Sequence, residues 1–209
     1  MTTINPDLRS YVEAEILPRY DAFDPAHRRD HVEMVIGQSM ELAEQLGVDA
    51  DMAYVVAAYH DTGLCEGREL HHVVSGRIIR EDVALRRWFT DEQIAVMAEA
   101  AEDHRASARQ EPRTVYGRIV AEADRFIDAE AVIRRTIQYG IEHYPALSCE
   151  EHYRRMLDHL HEKYDYGGYL RLWFPHSPNA ERLEQLRQII KDEPLLHEIF
   201  LSIYKPLTN

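Results

Sequence analysis

The sequence predicts an all-α protein. Three observations carry this. Apolar residues recur at helical spacing along almost the whole chain. Helix start and stop signals fall between the periodic runs. No stretch alternates apolar and polar residues long enough for a strand, and Trp88-Phe89-Thr90 is too short to count as one. The expected helices span roughly 6–20, 28–46, 49–61, 68–81, 91–107, 113–127, 129–142, 149–165 and 179–203. Asp24-Pro25 precedes the second. Gly47 suits its C-terminal cap, and Asp49 the N-cap of the third. Thr90 followed by Glu92 and Gln93 marks the start of the fifth. Pro112, Pro145, Pro175 and Pro178 fall in connections.

Three parts are expected: an N-terminal helix over 1–20, a helical bundle over 21–142, and a C-terminal helical extension over 143–209 packed on it. The extension is interrupted by YDYGGYLRLWFPHSP, an aromatic, glycine-rich stretch. A loop packed on the core is the preferred reading, with a lid or a homodimer contact as alternatives.

The 209 residues are enough to bury a real core. A net charge of −13 argues against binding a nucleic-acid polymer or an anionic membrane, both of which need a basic surface. A small anionic substrate remains compatible if a metal or a few placed arginines supply local positive charge. The charged N-terminus has no apolar segment of signal length, and no run approaches a membrane span. The only cysteines, Cys65 and Cys149, make no disulfide framework, so a cytoplasmic protein with free thiols is expected.

The chemistry gathers around AAYHDTGLCEG, residues 57–67. On a helix, His60 shares its face with Ala57, Val56 and Ala53, and Asp61 with Ala58, Ala57 and Tyr54. Both side chains therefore leave the apolar side, where an ionised carboxylate is costly unless paired or metal-bound. Asp124, His31, His72 and His104 also lie on apolar stripes of their own helices. A single inward histidine is ordinarily a hydrogen-bonded structural residue. Six inward His and Asp residues on five helices instead supply the imidazole and carboxylate donors that divalent transition metals prefer, and helical bundles build such sites from facing helices.

The order His31, His60-Asp61, Asp124 resembles the signature of the HD-domain metal-dependent phosphohydrolases. The contexts RRDHVEMVI, VVAAYHDTGL and YGRIVAEADRFID resemble that family's segments, with Arg28 three residues before the first histidine. The resemblance covers about residues 25–130. His104 and His72 fall where dinuclear relatives place two further histidines. His71 is adjacent to the second, and the histidine–glycine spacing of HHVVSG favours His72. The resemblance implies one or two divalent ions, with Asp61 bridging in the dinuclear case and His31, His60, Asp61 and Asp124 sufficing in the mononuclear one. The donor set favours Fe, Mn, Co or Ni, with Mg or Zn possible.

The implied activity is hydrolysis of a nucleotide or other small phosphoester by metal-activated water, with Asp61 and Arg28 catalytic. An HD-fold di-iron oxygenase and a non-catalytic nucleotide-binding module are the alternatives. Leu64 stands where many relatives carry a lysine, and the glycine-tyrosine-proline signature of cyclic-dinucleotide phosphodiesterases is absent. Arg29, Arg77, Arg105 and Arg125 lie near the proposed ligands but are expected to be solvated or ion-paired. Asp128 is read as a surface residue or an orienting group, Glu66 as a weak candidate base, and Cys65 as packing. His152, His159 and His161 are expected on an exposed helix.

Overall fold

The computed structural model describes residues 3–24, 27–105, 110–125 and 127–208. Among these residues there are ten α-helices and no strand. They form two compact units, residues 1–125 and 126–209.

The first unit is organised around α3 (Ala50–Tyr59), whose residues from Met52 to Tyr59 are all buried. It is apolar all round, as a helix enclosed on every side must be. The alanines at 53, 57 and 58 keep it thin enough for neighbours to pack closely. Against it lie α1 (Pro6–Glu15), α2 (Arg29–Leu46), α4 (His71–Glu81), α5 (Asp91–Asp103) and α6 (Val115–Ala123). Leu8, Val12 and Ile16 of the N-terminal segment belong to the same core, so the segment over 1–20 is part of this unit.

The second unit contains α7 (Ala129–His143), α8 (Cys149–Tyr164), α9 (Pro178–Lys191) and α10 (Glu193–Thr208). Val132, Ile133 and Ile137 of α7 join Met156, Leu160, Leu186 and Phe200 in one apolar cluster. The bundle expected to run to residue 142 therefore ends at Arg125, because α7 turns its apolar stripe to the later helices. Leu170 and Leu172, in the aromatic interruption, pack on this second core. Tyr169 and Leu170 tie back through their amides to the carbonyls of Glu162 and Lys163.

The expected caps form. Gly47 adopts the left-handed conformation at φ 65°, Asp49 accepts from the Met52 amide, and Thr90 and Gln93 make a reciprocal capping box. Two long expected helices are broken at proline. Helix 6–20 stops at Glu15 and continues as a 3₁₀ turn, Leu17–Ala22, with Pro18 in its first turn. Helix 179–203 breaks at Asp192, just ahead of Pro194, and resumes as α10. Inside a continuous helix each proline would forfeit an amide hydrogen bond and press on the preceding turn. The fifth helix ends at Asp103, and the last residue expected in it, Ser107, lies outside the described residues. His152 is buried against the ring of Tyr204 and is not on an exposed face. No described helix is long and apolar enough to cross a membrane.

Candidate metal centre

The centre is built at helix ends. The last carbonyls of a helix have no intrahelical amide to accept from. At the end of α3 side chains satisfy three of them. His60 Nδ1 donates to Ala57 O at 2.7 Å, the Tyr20 hydroxyl to Ala58 O at 3.0 Å, and Thr62 Oγ1 to Tyr59 O at 2.7 Å. The chain then turns through the 3₁₀ segment Thr62–Glu66, where the Gly63 amide donates to buried Ser75 Oγ of α4 at 2.9 Å. His60 is the C-cap of α3, His104 of α5 and Asp124 of α6. Three helix C-termini thus direct their partial negative charge at one spot, which suits a cation. His31 and His71 come from the first turns of α2 and α4.

Two donor groups result, one being His31, His60 and Asp124, the other Asp61, His71 and His104. Asp61 joins them. Its Oδ2 lies 3.3 Å from His60 Nε2 and 3.7 Å from His31 Nε2, while its Oδ1 lies 3.4 Å from the Nε2 of both His71 and His104. Asp124 Oδ1 lies 3.2 Å from His31 Nε2 and 3.8 Å from His60 Nε2. The Nδ1 atoms of His60, His71 and His104 are each held by a carbonyl three residues earlier, at 2.6–2.8 Å. That contact fixes the tautomer and turns the Nε2 lone pair inward. Yet His71 Nε2 and His104 Nε2 are only 3.1 Å apart, and His31 Nε2 and His60 Nε2 only 3.4 Å. Two imidazole lone pairs do not face each other at such distances without a proton or a cation between them. Four imidazoles and two carboxylates so arranged fit one or two divalent transition-metal ions.

The family model described as HD domain matches residues 28–128. Residues 28–128 are an HD domain. A crystal structure of a predicted HD superfamily hydrolase from an uncultured Thermotogales bacterium is similar in fold, with a TM-score of 0.54 and 19% identity over 98% of this chain and 94% of that one. No curated protein matches.

Within the HD domain, the structure brings His31, His60, Asp61, His104 and Asp124 together. It places His71, not His72, beside Asp61 and His104. The reason is the register of α4. Ser75, which accepts from the turn after the HD pair, is four residues beyond His71, so His71 shares the inward face. Gly76, four beyond His72, faces Ala98 and Glu102 of α5. The histidine–glycine spacing points to His72, and the contact that selects His71 instead is made only in the folded chain.

Of the neighbouring residues, Glu66 is exposed and ion-paired to Arg77. Arg29 pairs with Glu33, and Arg105 donates to Glu69 O. Arg28 is the exposed N-cap of α2. Cys65 is an exposed free thiol, and Asp128, in the second unit, caps α7. Three residues at the centre carry no motif signal. Tyr20 and Thr62 brace the end of α3. His27 stands edge-on to His31 at 5.8 Å between centroids and is held at Nδ1 by Asp24, 2.9 Å away.

Without a metal the charges compensate one another. Burial raises the Asp61 carboxyl, but the facing His60 and His104 imidazoles outweigh it and hold the group well below the usual carboxylate range. Burial lowers His60, yet the Asp61 carboxylate prevails and lifts it to about 9. Burial likewise opposes ionisation of Asp124, and its hydrogen bond with His31 draws it down.

A folded-state pKa raised above the unfolded value gives His60 a stabilising contribution that is complete below about 6.5 and is lost as pH rises through about 9. The depressed Asp61 contributes above its unfolded value near 3.8. The metal-free protein should thus lose urea resistance between pH 6.5 and 9, less so in His60→Gln. Added metal should stabilise more strongly as pH rises, since it competes with the His60 proton. A Cβ on Gly63 would lie 2.0 Å from His71 O and 2.6 Å from Ser75 N, both backbone atoms. Gly63→Ala should therefore displace the start of α4, cost about 1–3 kcal/mol in urea unfolding, and weaken divalent-metal binding by shifting His71 away from Asp61 and His104.

Proposed function

We propose that this protein is a metal-dependent phosphohydrolase acting on a nucleotide or other small phosphoester. The observation that carries the reading is the position of Asp61, a buried carboxylate whose two oxygens address two separate histidine groups. Divalent ions held there would lower the pKa of water and polarise a phosphoryl oxygen. The fold likeness to a predicted HD superfamily hydrolase supports hydrolysis as the reaction class.

The chain's own residues supply orientation and charge. His31, His60, Asp61 and Asp124 form one subsite, and Asp61, His71 and His104 the other. The carbonyl contacts at Nδ1 keep three imidazoles from rotating, so the donor geometry is set before a ligand arrives. Arg28, three residues ahead of His31 and exposed, is the proposed phosphate contact, since a guanidinium recognises phosphate in a bidentate manner. Arg68, whose guanidinium lies 3.4 Å from His27 Nε2, adds positive charge near His31. A local cationic group of this kind lets a chain of net charge −13 accept a small anion without binding an extended polyanion. Leu64 removes the lysine that many relatives carry, so phosphate binding rests more heavily on these arginines and the metal.

The test is metal analysis of the protein purified without chelator, followed by a phosphate-release screen over nucleotides and sugar phosphates, with and without O₂. His60→Ala and Asp61→Ala should each lose bound metal and lower phosphate release by more than about 100-fold. Retention of both metal and activity in either variant contradicts the site. Iron accompanied by O₂ uptake and no phosphate release contradicts hydrolysis and indicates the oxygenase class.

A further inference from the structure

We infer that Tyr20, which precedes the HD domain match over 28–128, is a positioning residue for the metal centre: its hydroxyl locks the backbone on both sides of His60. The inference rests on the proposed metal-binding role of the site. The Tyr20 side chain comes from the 3₁₀ turn Leu17–Ala22 and is fully buried. Its hydroxyl makes two hydrogen bonds of opposite sense. It donates to Ala58 O at 3.0 Å and accepts from the Asp61 amide at 3.3 Å. Ala58 and Asp61 flank Tyr59 and His60 in sequence, so one oxygen spans the bend at which α3 ends and the ligands begin. The ring also contacts Phe23 at 5.4 Å and lies 6.4 Å from the His60 ring.

The effect is transmitted through the backbone. Asp61 must aim Oδ2 at one histidine group and Oδ1 at the other, so a small rotation of its peptide moves both oxygens together. Thr62 and Ser75 restrain the chain after the pair. Tyr20 supplies the restraint across the pair itself. Phenylalanine at 20 would keep the ring packing and lose both hydrogen bonds, leaving the Ala58 carbonyl and the Asp61 amide to relax independently.

Tyr11 provides the comparison. It belongs to the same N-terminal segment, and its hydroxyl donates to Asp82 Oδ2 at 2.7 Å, the oxygen to which the Tyr59 hydroxyl also donates, rather than to the backbone of Ala58 or Asp61. Tyr20→Phe and Tyr11→Phe each remove one hydroxyl from this region, and only the first acts on the Asp61 backbone.

The experiment combines Mn²⁺ titration with amide hydrogen exchange of the metal-free protein. Tyr20→Phe should weaken Mn²⁺ binding about tenfold and speed exchange of the Asp61 amide at least about tenfold, with the Val55 amide in mid-helix unchanged. Tyr11→Phe should lower thermal stability while leaving Mn²⁺ affinity and Asp61 exchange at wild-type values. Wild-type Mn²⁺ affinity or wild-type Asp61 exchange in Tyr20→Phe overturns the inference. Should the wild type itself bind no divalent cation, the metal reading falls, and Asp61 exchange still decides whether Tyr20 holds the backbone. Should Tyr20→Phe not fold, the wild-type Asp61 amide decides: protection supports the role, and free exchange overturns it.

Discussion

The structure of the first unit turns on one buried carboxylate. Asp61 is 3% exposed, and ionised in that setting it would cost far more than a small domain has to spare unless opposite charge and hydrogen bonds compensate it. Compensation comes from four imidazoles on four helices. Bringing them within 4 Å of one aspartate requires the ends of α2, α3, α4 and α5 to converge, with α6 adding Asp124. The all-apolar α3 is the means. It threads the centre of the unit and delivers its polar C-terminus to the point where the other helix ends meet.

Such a site is structurally expensive. Small residues on α3 reduce the apolar mass of the core, the turn after it leaves no room for a side chain at Gly63, and carbonyls that would ordinarily face water are capped by His60, Tyr20 and Thr62. These features make little sense as stabilising devices on their own. They make sense together if the arrangement exists to hold cations between helix termini, each imidazole braced on its far side by a carbonyl. The brace at Nδ1 is the same for His60, His71 and His104, a local hydrogen bond three residues back along the chain, and it makes each donor's direction a property of its own helix end.

Much of this was legible in the sequence because periodicity is a local property. The inward faces of His31, His60, Asp61, His104 and Asp124 follow from helical spacing alone, and the caps at Gly47, Asp49 and Thr90 follow from residue chemistry. Three things were not legible in the same way. Adjacent histidines at 71 and 72 differ by one step around α4, and only the contact of Ser75 with the turn after Asp61 decides which faces inward. The division at Arg125 depends on where α7 turns its apolar stripe, which periodicity cannot say. Tyr20 reads as a core aromatic until its hydroxyl is seen between Ala58 and Asp61, a contact 41 residues apart in the chain. The breaks at Pro18 and Pro194, by contrast, were readable from the prolines themselves.

The two oxygens of Asp61 face two groups of histidines, and the spectrum of bound Mn²⁺ reports whether this one carboxylate joins two ions. At saturation the wild-type protein should hold two Mn²⁺ per chain with the electron paramagnetic resonance signature of an exchange-coupled pair, and His104→Ala should hold one with a simple six-line spectrum. A wild-type protein that saturates at one ion, or holds two that are magnetically independent, would contradict the bridge.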